Sequence, residues 1–358
     1  MSLRKFKVAG SAVPAGSWLS KPVFDAGGEL LAEGGSAVNE VLLERLCRIE
    51  ELEVFVDVKD SIEGPKAAGQ KNFVLEESIR EQAVDSVKYI YSGISGSEAV
   101  YESNRIADII CEAIGEADGS FNIENLRQYD EYTYRHSVDV AFMAGFLAKS
   151  LELPGQAVKG AALTGILHDI GKVRISLEIL NKEGRLTDEE FEVMKGHPLY
   201  GFEMLKEEKH IPDAVKYGVL THHEKYFGDG YVLGLSRKEI PAYGRLIAIA
   251  DCFDALISDR PYHPGRPAYK AIEIMREDIG HYDTFLLQRF MSFLVLYPAG
   301  TCLVLSNGAV CIVEGEEEGC PYHSCLRDVR TGEEIDLLHD LRLKGIKVKA
   351  VMWEEVYR

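Results

Sequence analysis

The first sixty residues carry short runs of alternating apolar and polar residues that glycine interrupts. The run SWLSKPVFDAGGELLAEGGSAV (17–38) predicts strands with a turn at Ala26-Gly27-Gly28. The run NEVLLERLCRIEEL (39–52) has helical periodicity, with Asn39 as its N-cap residue, and EVFVDV (53–58) predicts a further strand. We therefore predict a small α+β domain over residues 1–60, which is either regulatory or purely structural.

From residue 61 the chain is polar, and beyond residue 72 the spacing of its apolar residues becomes helical. SIEGPKAAGQKN (61–72) is rich in polar residues, glycine and proline, which is typical of a linker. In VDVAFMAGFLAKSLEL (138–153) apolar residues occupy two stripes at helical spacing, so this helix is expected to be buried in a bundle. We predict a linker with leading helices over 61–118 and a central all-α bundle over 119–292.

The last part of the chain returns to β-rich runs. VLYPAGTCLVLSNGAVCIVEGEEEG (295–319) contains a Ser-Asn-Gly turn between two such runs, which predicts a hairpin, and IKVKAVMWEEV (346–356) predicts a final strand. We assign residues 293–358 to a C-terminal β-rich segment. The predicted fold class is an α+β multidomain chain with a central helical bundle.

Composition and charge narrow the classes of function. The chain has 358 residues, 46% of them apolar, and its 40 basic and 58 acidic residues give a net charge of −18. A strongly acidic chain is a poor general binder of DNA or RNA, because a polyanion needs a basic surface. We see no apolar run long enough to span a membrane and no signal peptide, so a cytoplasmic protein without membrane association is expected.

Cysteine usage agrees with a reducing compartment. The seven cysteines are scattered and odd in number, which favours free thiols over a disulfide framework. Cys320 and Cys325 flank His323 in GCPYHSC (319–325), but this spacing matches no standard zinc site. We predict a loop with incidental cysteines there.

Histidines are concentrated in the central bundle. His136 shares a helical face with apolar residues, and His168 ends the apolar run AALTGIL (161–167). A buried imidazole needs a hydrogen-bond partner or a metal, and for a single histidine the first is commoner. Six of the ten histidines lie between residues 136 and 223: His136, His168, His197, His210, His222 and His223. Five of them, with two aspartates, can supply a two-metal centre for iron, manganese, zinc, cobalt or nickel.

The dipeptide His168-Asp169 is a particular signal. Adjacent residues on a helix point about 100° apart, so the histidine can bind one metal while the carboxylate bridges to a second. Lys172 lies four residues after His168, where it can meet a phosphate oxygen. The alternative for Lys172 is a solvated lysine that the helix dipole favours.

These residues carry a resemblance to a known family. Residues 131–281 resemble the HD-GYP subgroup of the HD phosphohydrolase superfamily, whose members are all-helical, metal-dependent phosphodiesterases that open cyclic di-GMP. The matching stretches, in the family's order and spacing, are YTYRHSVDVA (132–141), LTGILHDIGKV (163–173), ILNKEGRLTDEEFEVMKGHPLYG (179–201), THHEKYFGDGY (221–231) and RLIAIADCFDALISDRPYH (245–263).

The resemblance implies a role for each matching residue. One metal would be held by His136, His168, Asp169 and Asp251; Asp169 would bridge to a second metal held by His197, His222 and His223. Lys172 and Arg260 would contact the phosphate, and Asp169 and Lys172 would act in catalysis. Asp254 is either a hydrogen-bond acceptor for a ligand histidine or an ordinary helix carboxylate.

Three positions depart from the family pattern. The naming tripeptide Gly-Tyr-Pro reads Gly-Tyr-Val at 230–232, so the loop shape and substrate preference are open. Tyr132 stands where members with a third metal have glutamate, so two metals are expected. His263 stands where lysine or arginine is common, and it is either a substrate contact or an exposed loop residue.

The resulting expectation is a bacterial signalling enzyme. It would hydrolyse cyclic di-GMP to linear pGpG, and whether it continues to GMP is open. Two divalent metals are expected, iron or manganese before zinc, nickel or cobalt. The alternatives are another nucleotide such as cyclic GMP-AMP, a non-catalytic cyclic-dinucleotide sensor, and a di-iron oxygenase, which Lys172 and Arg260 disfavour. A signalling partner protein and a homodimer are left open.

Overall fold

The computed structural model describes residues 2–49, 51–58, 75–92, 97–116, 132–182, 184–258, 265–278, 280–297, 300–317, 320–336, 346 and 348–354. The chain divides into two compact units. One unit combines Met1–Lys71 with Val295–Arg358, and the other is Asn72–Leu294. Among the described residues the chain is largely helical, with strands towards both ends.

In its described residues, the first unit is built from strands and one α-helix. Asn39 caps that helix, because its side chain accepts a hydrogen bond from the backbone N–H of Leu42, as the sequence predicts. The elements are β1 (Ser2–Val8), β2 (Trp18–Leu19), β3 (Val23–Phe24), β4 (Leu30–Ala32), α1 (Glu40–Leu46), β5 (Leu52–Val58), β6 (Cys302–Leu305), β7 (Val310–Glu317), β8 (Cys320–Asp328), β9 (Glu334–Asp336) and β10 (Val348–Glu354).

Strands from both ends of the chain form one sheet. Its order is β2-β5-β1-β10-β6-β7-β8-β9, and the neighbouring strands are antiparallel. β1 pairs with β10 with Phe6 opposite Glu354, and Phe6, Val54, Val304 and Met352 share one buried apolar cluster. The sequence places the two ends in separate segments, whereas the structure joins them. Alternation identifies a strand but does not name its partner.

The segment with the closely spaced cysteines also differs from the sequence prediction. A loop is predicted around GCPYHSC, but Cys320 begins strand β8, which pairs with β7 on one side and β9 on the other. Glycine and proline at the start of the segment suggest a turn, and pairing with two neighbouring strands overrides that local preference.

The second unit is helical. Its helices are α2 (Glu77–Tyr91), α3 (Ser97–Glu116), α4 (Tyr132–Ser150), α5 (Gly155–Leu167), α6 (Leu177–Leu180), α7 (Asp188–Met194), α8 (His197–Leu205), α9 (Asp213–Thr221), α10 (Ala242–Ile257), α11 (Ala268–Glu277) and α12 (Thr284–Met291). A 3-10 turn at Ile170–Arg174 follows α5. Both predicted apolar stripes of α4 are buried, including Phe142 and Met143, as expected for a helix inside a bundle.

Two glycines allow the close approaches on which the site depends. A Cβ atom on Gly165 in α5 would lie 2.4 Å from the Cα atom of Ala141 in α4. A Cβ atom on Gly171 would lie 2.0 Å from the backbone oxygen of His197, at the start of α8. Only glycine fits these contacts. They bring α4 next to the end of α5, and the 3-10 turn next to α8.

Among the described residues, no helix combines the length and the apolar character that a membrane crossing requires.

Candidate metal centre

Seven imidazoles and carboxylates converge where helices of the second unit end or face each other. His168 and Asp169 follow α5, His197 begins α8, and His222 and His223 follow α9. The remaining two side chains come from within helices, and these are His136 on α4 and Asp251 on α10. The structure thus brings together all seven residues that the resemblance names as metal ligands.

The two oxygens of Asp169 face different histidines. Its Oδ2 atom lies 3.4 Å from the Nε2 atom of His168 and 3.9 Å from the Nε2 atom of His136. Its Oδ1 atom lies 3.2 Å from the Nε2 atom of His197. Asp251 approaches His136, with its Oδ1 atom 3.1 Å from Nε2. Asp169 therefore lies between two groups of nitrogen donors.

Among the residues that the structure describes, three overlapping groups of donor atoms are close enough to hold a metal ion. In each group the donor atoms lie within 4.8 Å of one another. The groups are His136, His168 and Asp251; His168, Asp169 and His222; and His197, His222 and His223. Imidazole nitrogens and carboxylate oxygens are ligands of divalent transition metals.

The Nδ1 atoms of four histidines are held by acceptors on the outside of the cluster. The acceptors are the carbonyl oxygens of Gly165 for His168 (2.7 Å), Met194 for His197 (2.8 Å) and Val219 for His222 (2.6 Å), and Oδ2 of Asp254 for His136 (2.7 Å). A carbonyl oxygen or carboxylate only accepts, so each Nδ1 atom carries a proton, and the Nε2 atoms of the His168, His197 and His222 rings are left to present lone pairs. Metal-binding histidines are typically held in this way.

Two observations show that these residues fit a metal. The Nε2 atom of His168 is buried, and among the described residues it has no hydrogen-bond partner. The Nε2 atoms of His197 and His222 lie 3.2 Å apart, with a lone pair on each. Buried polar atoms are normally satisfied. A divalent cation would satisfy these nitrogens.

Charge on the carboxylates is compatible with cation binding. Burial opposes the ionisation of Asp169, but its interactions with His168 and Lys172 outweigh burial and hold the pKa of Asp169 well below its ordinary range. Burial likewise opposes the ionisation of Asp251, but hydrogen bonding and charge from His136 lower its pKa. Metal ligands must be deprotonated, and these two carboxylates are.

Burial affects the histidines in different ways. It lowers the pKa of His223 to about 4, and together with the neighbouring imidazoles it holds the pKa of His222 well below the ordinary value. Burial alone would also lower the pKa of His136, but hydrogen bonds with Asp251 and Asp254 outweigh it and raise that pKa to about 10. The rings of His222 and His223 are therefore uncharged near pH 7, and each has a nitrogen lone pair that can bind a metal.

Lys172 is the predicted phosphate contact that the structure describes. α5 ends at Leu167, and Lys172 lies in the 3-10 turn with its Nζ atom 2.5 Å from Oδ2 of Asp169. Its side chain keeps 26% exposure, so the ammonium group lies between the cluster and solvent. Arg260 and His263 lie outside the described residues. Tyr132 begins α4, but its side chain is not among those described, so the expectation of two metals rather than three stays a prediction.

The loop that contains the Gly-Tyr-Val tripeptide is fixed by Glu224. The Glu224 carboxylate is buried and accepts hydrogen bonds from the backbone N–H groups of Leu233 (2.6 Å), Gly234 (3.1 Å) and Leu235 (3.0 Å). The Tyr231 ring stacks on the His223 ring, with centroids 4.8 Å apart. The sequence does not indicate this role of Glu224, because hydrogen bonds to backbone N–H groups 9 to 11 residues away leave no pattern along the chain.

Asp254 proves to be the acceptor for a histidine. The sequence left two roles for Asp254, an acceptor for a ligand histidine or an ordinary helix carboxylate. The structure contains the first, because the Asp254 carboxylate accepts a hydrogen bond from Nδ1 of His136. The spacing of three residues from Asp251 places both carboxylates on one side of α10, and both therefore reach the same imidazole.

Comparisons with known proteins agree with this geometry. The family model described as HD domain matches residues 121–286. A cyclic di-GMP phosphodiesterase of Pseudomonas aeruginosa is 32% identical over 323 residues, which cover 83% of this chain and 77% of that protein.

Other relatives match over shorter regions. A cyclic di-GMP phosphodiesterase of Thermotoga maritima is 40% identical over 159 residues, 42% of this chain and 43% of the relative. The 3′3′-cGAMP-specific phosphodiesterase 1 of Vibrio cholerae is 35% identical over 152 residues, 42% of this chain and 34% of the relative. This chain spans less than half of the length of these two proteins. The long match to the Pseudomonas aeruginosa protein and the match to the HD domain show that the chain belongs to the metal-dependent HD-domain family, in the HD-GYP group of cyclic di-GMP phosphodiesterases.

Proposed function

We propose that this chain is a metal-dependent phosphodiesterase that hydrolyses cyclic di-GMP, with linear pGpG as the first product. The observation that carries the proposal is the position of Asp169, whose two carboxylate oxygens face separate groups of histidines. A carboxylate in this position suits a bridge between two cations. The relatives whose names specify cyclic di-GMP hydrolysis support the choice of substrate.

Each proposed metal would have its own ligands. The first would be bound by His136, His168, Asp169 and Asp251, and the second by Asp169, His197, His222 and His223. The mixture of imidazole and carboxylate donors suits iron or manganese, and also zinc, nickel or cobalt. When bound, two divalent metals neutralise phosphate oxygens and supply hydroxide near neutral pH.

The chain's own residues would orient the reacting groups. Lys172 places an ammonium group between the cluster and solvent, where a phosphate oxygen of the substrate can accept from it. Arg260 is proposed as a second phosphate contact and His263 as a further substrate contact. Carbonyl oxygens behind His168, His197 and His222 fix the direction of each ring, so the donor atoms need little rearrangement when substrate enters.

Substitution of the bridging carboxylate tests the proposal. Asp169→Asn and His168→Ala should reduce hydrolysis of cyclic di-GMP by manganese-loaded protein to background, with pGpG and GMP followed by chromatography. His210→Ala is the matched control, because His210 is exposed and belongs to none of the three donor groups. Wild-type turnover in Asp169→Asn would contradict the proposal.

A second candidate substrate is 3′3′-cyclic GMP-AMP. It is favoured by the similarity to the Vibrio cholerae phosphodiesterase named for this nucleotide and by Val232, which replaces the proline of the family tripeptide. Comparing kcat/KM for the two cyclic dinucleotides decides between them. Tight binding of either nucleotide without hydrolysis, in protein shown to contain metal, would instead identify a sensor.

A further inference from the structure

Helix α2 precedes the residues that match the HD domain, yet it contacts residues that support the metal centre. Arg80 on α2 is a buried cation, only 1% exposed. Its Nε atom lies 3.2 Å from Oδ1 of Asp139, which is also 1% exposed. Asp139 lies on α4, three residues after His136, so it is on the same side of that helix. Arg80, which lies outside the residues that match the HD domain, therefore pairs with a carboxylate about one helical turn away from the proposed metal ligand His136.

Two buried carboxylates occupy that region. Burial raises the pKa of Asp139, the positive charge of Arg80 opposes the rise, and the negative charge of Asp254 adds to it. Asp254 is fully buried, and its Oδ2 atom holds Nδ1 of His136 at 2.7 Å. A buried carboxylate such as Asp139 needs a compensating cation, because an unpaired charge in a buried site is strongly unfavourable. Arg80 supplies that cation.

Both ends of α2 are fixed close to the metal centre. Near its start, Glu77 contacts Arg80, at 3.3 Å, and also Arg135, the residue before His136. At its end, the Tyr91 hydroxyl donates to the backbone oxygen of Ile166 at 3.0 Å, two residues before His168. These contacts hold Arg80 at a defined depth beside α4.

We propose that Arg80 is a positioning residue for the metal centre: its ion pair with the buried Asp139 holds α4 in the position from which His136, three residues before Asp139, directs its Nε2 atom towards the cluster. The inference rests on the proposed metal-dependent function and extends it to a residue outside the matched domain. Loss of a group that orients a ligand histidine typically weakens metal binding by roughly 10- to 100-fold.

The charge argument predicts a specific relation between two substitutions. In Arg80→Met the Asp139 carboxylate loses its ion pair with Arg80 and becomes an uncompensated buried charge, so α4 should shift to relieve it. In Asp139→Asn the guanidinium of Arg80 loses the same ion pair, and α4 should again shift. Each single variant should therefore bind Mn²⁺ about 10- to 100-fold more weakly than wild type. The double variant removes both charges together, so it should regain an affinity within about three-fold of wild type, because non-additivity is typical of directly coupled residues.

The experiment measures Mn²⁺ binding by calorimetry on full-length protein treated with EDTA, followed by kcat and KM for cyclic di-GMP. The single variants should lower kcat at saturating substrate more than they raise KM. Val87→Ala is the matched control, since Val87 is fully buried on α2 and uncharged. It should lower thermal stability without changing Mn²⁺ affinity. Arg80→Lys, which keeps the charge, should bind Mn²⁺ more tightly than Arg80→Met.

The outcomes separate this inference from the proposed function. A wild-type protein that neither binds Mn²⁺ nor hydrolyses a cyclic dinucleotide overturns the proposed function itself. An active wild type with single variants of unchanged affinity overturns only the role of Arg80, as does a double variant whose loss is the sum of the two single losses. If Arg80→Met does not fold, Asp139→Asn and the double variant still give the comparison.

Discussion

His197 and His222 face each other through their Nε2 atoms at 3.2 Å, while a backbone carbonyl oxygen holds the Nδ1 atom of each ring. Neither ring can turn its Nδ1–H towards the other without losing that bond. The two lone pairs repel each other unless a cation or a proton lies between them. The protein thus maintains an arrangement that is unfavourable by itself and becomes favourable when a metal binds.

Metal binding should therefore stabilise the fold. At a free Mn²⁺ concentration of 100 times the dissociation constant, the gain in unfolding free energy is about 2.7 kcal/mol. For a unit of this size that corresponds to an increase in Tm of roughly 5 to 10 °C. Scanning calorimetry of EDTA-treated protein with and without Mn²⁺ measures the shift. The increase should be much smaller in His222→Ala, and an equal increase in that variant would contradict the assignment.

Asp254→Asn should weaken the metal centre without disrupting the fold. Asparagine keeps the shape and one acceptor oxygen but removes the negative charge that orients His136. We expect a fall in Mn²⁺ affinity of roughly 10- to 100-fold. Equilibrium dialysis with metal analysis checks this. Asp108→Asn is the control, because Asp108 forms an exposed ion pair with Lys159, and it should bind Mn²⁺ like wild type.

Glu224→Gln should loosen the loop at 230–235. Glutamine offers one acceptor oxygen to three backbone N–H groups, so at least one of these donors loses a strong bond, at a cost of about 1 to 3 kcal/mol. Faster amide hydrogen exchange at Leu233 and Leu235 is the expected result. Glu239→Gln, which alters an exposed helix cap nearby, serves as the comparison and should leave these amides protected. Unchanged exchange in Glu224→Gln would contradict the proposed role.

Gly230→Ala should abolish the packing of that loop against the histidine pair. A Cβ atom at this position would lie 2.3 Å from the backbone nitrogen of Lys225, 2.5 Å from Cα of Glu224 and 2.6 Å from the backbone oxygen of His223. These are backbone atoms and cannot turn aside. We expect a loss of activity of more than about ten-fold, since a 1 Å misplacement costs up to 100-fold. Gly115→Ala, where a Cβ atom meets nothing within 4 Å, should keep full activity and stability.

Stability without metal should fall as the pH drops from about 6.5 to 4. The pKa of His223 is about 4 in the folded protein, against an ordinary value of about 6.5, so in this range the unfolded chain binds a proton that the folded protein does not. Binding of protons to the unfolded state favours unfolding, and His222 acts in the same direction. Urea unfolding of EDTA-treated protein at pH 7.0 and 5.0 measures the loss. His223→Gln should show a smaller loss, and an identical one would refute the attribution.

The sequence identified the residues of the site better than it identified their surroundings. His168, Asp169, His222 and His223 occur as adjacent pairs after apolar helical runs, so both their chemistry and their position at helix ends are visible along the chain. Arg80 and Asp139 are separated by 58 intervening residues and meet only when two helices pack. No periodicity indicates such a pair.

The same distinction applies to the strands. Alternating residues predicted strands near both ends of the chain. The pairing of β1 with β10, however, depends on apolar contacts between residues that lie far apart in the sequence. The helix cap at Asn39 was predictable because its partner is three residues away. Local interactions were therefore visible in the sequence, whereas distant ones required the folded chain.

The pairing of β1 with β10 has a consequence for biosynthesis. Translation delivers β1 and β5 first, and the whole helical unit must emerge from the ribosome before β10 becomes available. During that interval one edge of β1 presents unpaired backbone groups, which is the kind of edge that chaperones shield and that promotes aggregation. A nascent chain that stalls before β10 is made would keep this edge exposed.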